Sequence, residues 1–197
     1  MIKRLVVMFS IGLFVSMPLL AGNKTIVNPL GIGSWNDLST PTSARKYPIG
    51  MKIVVFDDSN TAMTEYTYIQ APIALTAYGT YAIEISTTSA GEVRCKLPTV
   101  TLTANAIKAA VPQIAFTKDY YGFVATEGLC SVVNTTSTVL GNTGRIQIGL
   151  TTVKDTGDVT ISSTTVGMFT ETTGVNSTQS DRGFYLFGKW VGVALAL

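Results

Sequence analysis

The sequence predicts an all-β protein: a single β-sandwich or barrel-like domain with an extended N-terminal arm. Three observations carry that expectation. Short runs rich in Val, Ile, Thr and Tyr recur through most of the chain, and such side chains suit a pleated, half-buried surface. Turn-forming clusters separate these runs at roughly 8–12-residue spacing, the pattern of sandwiches and barrels. Beyond the first residues, no stretch keeps a helical period long enough for a substantial helix.

The elements follow in chain order. The chain opens "MIKRLVVMFSIGLFVSMPLLAGNK", two cations followed by the uncharged residues 5–21. Pro18 and Gly12 interrupt any helix there, and the length is at the short end for spanning a bilayer, so no stable membrane anchor is expected. The order of cationic, apolar and small residues matches a secretory signal peptide covering 1–21. Leu19, however, stands where a small residue is favoured before the cleavage point. Residues 22–48 carry Pro, Gly, Ser and Thr with no periodicity and read as a linker. Trp35 inside it is expected to pack onto something.

From "MKIVVF" onward, strands alternate with turns: "DDSN" is a turn, "MTEYTYIQ" an alternating strand, "APIALTAYGT" a loop turning at Tyr78-Gly79. "YAIEIS" and "EVRCKL" are strands around a "STTSAG" loop. "PTVTLTANAIKAA" reads as a strand followed by a single helical turn over 105–110. "VPQIAF", "TKDY" and "YGFVATEG" give strand, tight turn, strand, and "LCSVVN" another strand. "GRIQIGL" and "VTISS" form a hairpin around "TTVKDTGD". "VGMFTE" and the nearly uncharged "FYLFGKWVGVALAL" close the chain, the latter as a strand buried on both faces. The expected total is ten or eleven strands.

Composition narrows the function. Charged residues make up 13% of the 197, about half the usual share, as suits surfaces buried in an assembly or a secreted β-protein. The net charge of +2 is too small for binding nucleic acid through phosphate neutralisation. The chain has no histidine, which excludes Ser-His-Asp and Cys-His pairs and the usual imidazole metal sites. Cys95 and Cys130 cannot by themselves form a four-thiolate site. They either pair in an oxidising compartment or stay as small buried side chains.

No motif outweighs its structural reading. Asp155-Thr156-Gly157 matches the aspartic-protease triplet, but that chemistry needs two carboxylates sharing a proton, and a turn between β-branched runs explains it equally well. Asp57, Asp58 and Asn60 offer oxygen ligands, too few for a calcium loop. The triplets beginning at Asn23, Asn134 and Asn176 match glycosylation acceptors and arise readily in a Thr-rich chain. Tyr66 and Tyr68, with Tyr120, Tyr121 and Phe123, could stack on sugars, but aromatics on strands more often form core or subunit contacts. No catalytic residue, metal site or cofactor is expected, and the chain is read as a non-enzyme.

Three stretches together resemble a known family: "YPIGMKIVVFDDSNTAMTEYTYIQA", "VPQIAFTKDYYGFVATEG" and "FYLFGKWVGVAL". They resemble the small Thr- and Gly-rich structural proteins encoded beside capsid genes in tailed bacteriophages. The resemblance rests on Tyr47-Pro48-Ile49-Gly50 leading into a strand, Tyr66-Thr67-Tyr68, Tyr121-Gly122-Phe123 and the run from Gly188 to Leu195, and covers roughly residues 47–197. It implies a capsid decoration (cement) protein, oligomeric on the virion surface and possessing no enzymatic activity. Its partners would be the major capsid protein and other copies of itself, a trimer among the options. The apolar head departs from that pattern, because phage heads assemble in the cytoplasm, where an export signal has no use.

If the head is retained, it must be shielded. Its exposure would cost on the order of 10 kcal/mol, at roughly 1.5–3 kcal/mol per large apolar side chain. The expected organisation is therefore an interaction arm and strap, residues 1–46, ahead of a β-domain, residues 47–197. Leu13, Phe14 and Leu19 are the expected contacts of the arm and Trp35 that of the strap. Phe184, Tyr185 and Trp190 are expected in the core or the subunit contact. The alternative is an exported bacterial surface β-protein, an adhesion or carbohydrate-binding module, with residues 1–21 removed and Cys95 joined to Cys130.

Overall fold

In a computed structural model of the chain, the described residues are 24–26, 35–57, 62–85, 93–96, 107–134, 136–146, 150–157, 165–171, 183–188 and 190–191. They form twelve strands and one short helix, an all-β fold as expected. In order these are β1 (Lys24–Ile26), α1 (Trp35–Ser39), β2 (Lys52–Asp57), β3 (Ala62–Gln70), β4 (Tyr81–Ile85), β5 (Val93–Lys96), β6 (Ile107–Ala110), β7 (Tyr121–Cys130), β8 (Thr143–Ile146), β9 (Val153–Asp155), β10 (Thr165–Phe169), β11 (Phe184–Leu186) and β12 (Trp190–Val191).

The longest ladder joins β3 to β7, antiparallel from Thr64↔Gly128 to Gln70↔Tyr121. Every other strand hangs from this pair. On the far edge of β3, β2 pairs from Lys52↔Thr67 to Asp57↔Ala62, and β1 continues outward along β2. At Gln70 that edge passes to β5, whose Arg94 pairs with Gln70 in parallel, and β5 leads on to β4, β6 and β12. The far edge of β7 is shared. Thr42 bridges Tyr121, Val111 bridges Ala125, and β11 takes Gly128 to Cys130, followed by β10, β8 and β9.

Period-two alternation sorts the side chains of this pair onto opposite faces. Tyr66 and Tyr68 of β3 and Phe123, Ala125 and Cys130 of β7 join one buried cluster with Ile53, Val55, Phe169, Phe184 and Leu186. Ile69 and Val124 join a second, with Leu75, Tyr81, Ile83, Cys95 and Phe116. Strand β4 likewise divides its residues, Ala82 to the first cluster and Tyr81 and Ile83 to the second. A strand buried on both faces is the reason these runs are so apolar. The Tyr68 ring lies edge-on to Tyr47 at 5.4 Å and tilted against Phe123 at 4.9 Å, and its hydroxyl accepts the Lys46 N–H at 3.0 Å. Aromatic pairs of this kind add about 0.5–1.5 kcal/mol beyond area burial.

Several local expectations change. Residues 107–110, expected in a helical turn, are β6, because pairing with β4 on one side and β12 on the other overrides a weak helical preference. "VPQIAF" is not a strand; Val111 makes a single bridge to Ala125 of β7, and Phe116 makes one to Leu75 in the loop that follows β3. Val153–Asp155, expected in a turn, pairs with β8 from Gly144↔Asp155 to Ile146↔Val153. The closing run is not one strand. It breaks at Gly188, whose φ of 66° takes the chain from β7's neighbour to β6's. A side chain there would run into the Glu127 carboxylate. Within the stretch read as a linker, α1 forms and Leu38 enters the first cluster. Lys46 Nζ and the Tyr47 hydroxyl donate to the Asp37 carboxylate at 2.8 and 3.0 Å, and Thr42 exchanges two backbone hydrogen bonds with Tyr121. Among the described residues no helix is long and apolar enough to cross a membrane.

Gly128 sits where β7 meets both β3 and β11. Its φ is 91°, and a Cβ there would collide with the Met63 carbonyl oxygen. Gly128→Ala should therefore cost about 3 kcal/mol through strain and collision. Chemical denaturation would read this as a lower midpoint at unchanged slope.

Candidate interaction surface

The face of β3 and β7 turned away from the Tyr66–Tyr68 cluster changes character along its length. At the Gln70 end it is covered by the second cluster, with Ile69 and Val124 buried. In the middle it is polar. A register shift between Glu65 and Tyr66 leaves Thr126 as the extra residue of a β-bulge, which re-aims its side chain. Thr126 and Thr67 share a hydroxyl hydrogen bond at 3.0 Å, and Thr126 also donates to Glu65 Oε1 at 3.0 Å. Lys108, nearly buried, donates to the same oxygen at 3.0 Å, and Lys52 Nζ stands 3.1 Å away.

This carboxylate holds a buried ammonium on β6 against the central strands. Burial acts on Glu65 to raise its pKa, but the hydrogen bonds and charge of Lys108, with further bonds from Lys52 and Thr126, outweigh it and leave the pKa below the ordinary 4.5. Two amines and the Thr126 hydroxyl are the donors that hold it ionised.

At the far end the same face becomes apolar and open. Phe56 pairs with Met63 across β2 and β3. Thr64 pairs with Gly128, which sets Met63 level with Leu129 one residue further on. Leu129 pairs with Tyr185, and Tyr185 with Met168. Phe56, Met63, Leu129, Tyr185 and Met168 thus form one transverse row over five strands. Met63 is 57% and Tyr185 42% exposed, and the other three are partly exposed. Phe187 lies beside the Tyr185 ring at 6.5 Å. The register thus gathers five apolar side chains on one face of the sheet.

Of the residues singled out from sequence, Tyr185 lies in this row. Phe184, its neighbour on β11, points the other way and is fully buried against Phe169 at 4.9 Å. Trp35 begins α1 and Trp190 begins β12, but their side chains lie outside the described residues. So do Leu13, Phe14 and Leu19, and Asp58 and Asn60 of the oxygen-rich turn. Sequence reasoning missed Phe56, Met63, Leu129 and Met168, because only the strand register brings them level.

Asp155 is a structural carboxylate. It is buried at the end of β9. Its Oδ2 accepts the Val139 N–H at 2.9 Å, Oδ1 accepts the Gly157 N–H at 2.7 Å, and the Asn142 amide donates to both oxygens. The Gly141 N–H reaches the Phe169 carbonyl at 2.9 Å. Together these bonds hold a turn whose tip presents Val139 and Leu140, both more than half exposed. The oxygens are committed to donors of their own chain, unlike those of a proton-sharing dyad.

Cys95 and Cys130 are free and buried, each in a different cluster; burial pushes both thiols well above the usual range, so neither is a ready nucleophile. Among the described residues no three His, Cys, Asp or Glu side chains gather to hold a metal ion.

Two measurements test these assignments. Glu65 has a lowered folded pKa, so its contribution is present above the ordinary 4.5 and fades as pH falls through the folded value. Denaturation midpoints should drop on acidification below about pH 4.5, and Glu65→Gln should flatten that part of the profile. Asp155→Ala removes a charged acceptor from three donors, at a cost of about 2–3 kcal/mol. Hydrogen exchange should show protection lost at Val139 and Gly157 while β3 and β7 keep theirs.

No protein-family model and no curated protein matches the chain. Among solved structures, the N base of head fiber gp8.5 of bacteriophage phi29 is similar at a TM-score of 0.41 and 13% identity, covering 66% of this chain and 98% of that one. At that score the likeness carries no argument about this chain.

Proposed function

We propose that the chain is a non-enzymatic structural protein of a bacteriophage virion, a decoration or cement protein on the head. Its partners are the major capsid protein and further copies of itself. The observation that carries this reading is the open apolar row of Phe56, Met63, Leu129, Tyr185 and Met168, beside which the Glu65 and Asp155 carboxylates serve to hold strands and a turn. The phage-protein resemblance of residues 47–197 supports it, as does a charged content of 13%. The mechanism is mechanical. Contacts that bury apolar area between subunits add stabilisation at about 25 cal/mol per Å², and large permanent interfaces are rich in such area. The uncharged residues 5–21 belong to the same economy, since they need a dry environment against protein.

The test is deletion of residues 2–21. The shortened protein should keep its β-sheet circular dichroism and thermal transition. Its affinity for purified shells should fall at least tenfold, a loss that requires only about 1.4 kcal/mol. Unchanged shell occupancy would remove the arm from the mechanism.

The order of cationic, apolar and small residues across 1–21 favours a second reading, an exported bacterial surface β-protein with that segment cleaved. The intact mass of the mature protein separates the two, because export predicts a chain starting at Gly22.

A further inference from the structure

We infer that residues 67–83 and 108–124 are two copies of one β–loop–β unit, joined about a two-fold axis at the bridge between Leu75 and Phe116. Each unit's partner inside the fold is its own copy. The chain thus contains the self-complementary contact that two separate chains of one kind would make.

The correspondence joins residues 41 positions apart, as Leu75 and Phe116 are. It carries β3 onto β6 and β4 onto the first half of β7, and the hydrogen bonds obey it. Leu75 and Phe116 donate to each other's carbonyls at 3.0 and 2.8 Å. The Tyr78 N–H donates to the Pro112 carbonyl, and its counterpart Asp119 donates to Ala71, the counterpart of Pro112, both at 2.7 Å. Gly79 closes its turn on the Thr76 carbonyl and Tyr120 closes its own on Thr117, both at 3.2 Å. Thr80 and Tyr121 then donate to carbonyls from elsewhere in the chain, Thr151 and Thr42, both at 2.8 Å. Tyr78 and Asp119, with φ of 63° and 66°, are the two non-glycine residues of positive φ among the described residues. Exchanging the two units maps each bond of the clasp onto another bond of the clasp, which is the property of a two-fold axis.

Strand register and burial repeat the relation. Ile69↔Gly122, Tyr68↔Phe123 and Thr67↔Val124 correspond to Ala110↔Tyr81, Ala109↔Ala82 and Lys108↔Ile83. Ile69 and Val124 lie in the second cluster, and so do their counterparts Ala110 and Ile83. Tyr68 and Phe123 lie in the first, and so do Ala109 and Ala82. Ile73 and Ile114 both pack against the second cluster. A trace survives in the sequence, Ile-Ala-Leu-Thr at 73–76 and Ile-Ala-Phe-Thr at 114–117. Two unrelated loops could share a bridge. Nothing in that bridge requires their turns, left-handed residues, registers and burial to coincide as well.

Each unit also sets one ring between its loop and its second strand. In the second unit the Phe116 ring lies over Gly122, where an added Cβ would stand 2.7 Å from it. In the first unit the strand supplies the ring instead. Tyr81 replaces the glycine, its hydroxyl accepts the Thr76 N–H at 2.8 Å, and the smaller Leu75 replaces the phenylalanine. Leu with Tyr and Phe with Gly are two fillings of one space.

Thermal unfolding of the full-length protein tests the equivalence. Leu75→Phe crowds the site and Tyr81→Gly empties it, so each alone should lower the midpoint by about 5 °C or more. Together they give the first unit the filling of the second, and the pair should lose less than half of the summed shift. Where a single change abolishes the fold, the pair should restore it. Additive loss, or a pair that does not fold, overturns the inference. The exposed turns give a second measurement that leaves the core untouched. Ala77→Lys with Tyr78→Asp, and Lys118→Ala with Asp119→Tyr, exchange turn residues between the copies. Each pair should keep its midpoint within about 2 °C, whereas Tyr78→Val, β-branched at a left-handed φ, should lower it by several degrees. Exchanged turns that lose as much as Tyr78→Val overturn the inference too.

Discussion

The structure depends on one pairing, the antiparallel ladder between β3 and β7. Both strands bury side chains on both faces, which only works if each face finds its own core. The first cluster, around Tyr68 and Phe123, and the second, around Ile69 and Val124, are those two cores. The remaining strands attach to the edges of this pair, and each edge is divided between segments that arrive from different parts of the chain. Few of these contacts are local in sequence, so the fold is assembled mainly by long-range pairing, at a cost in loop-closure entropy that the two cores must offset.

Within that ladder the bulge at Thr126 decides how the outer face is used. Without the extra residue, β7 would keep strict alternation to its end. With it, Thr126 turns toward Glu65 and Thr67, and the space between the second core and the open row fills with a hydrogen-bonded charge network. Lys108 enters that network nearly buried. A buried ammonium is tolerated only when paired and hydrogen-bonded, and Glu65 supplies both needs. The network separates a closed apolar region from an exposed one on a single sheet face. Hydrophobic burial at one end stabilises the fold, while the other end leaves apolar side chains exposed.

The Asp155 turn repeats the same logic on a smaller scale. A charged group is spent inside the protein, on backbone and amide donors, to hold two aliphatic side chains in water. Glu65 and Asp155 thus serve architecture. The row and the Val139–Leu140 tip both display apolar side chains at the surface.

Much of the secondary structure was legible in the sequence. The β-branched runs of β2, β3, β4 and β7 announce themselves, since each must fill a pleated, buried face whatever its partners are. Tyr66, Tyr68 and Phe123 read as core or contact for the same reason, and Tyr185 was marked by its place in the apolar closing run. What the sequence left open was decided by pairing. Ile107–Ala110 became a strand because β4 and β12 flank it, and "FYLFGKWV" broke at Gly188 because its two halves pair with different strands, β11 between β7 and β10 and β12 beside β6. The row of Phe56, Met63, Leu129, Tyr185 and Met168 exists only through register. Those five residues are scattered over more than half the chain, and a one-residue slip of any strand would turn its member toward the other face. Local composition determined which segments are strands; hydrogen-bond register between distant segments determined which side chains meet, because a strand's own sequence fixes its alternation but not its neighbour.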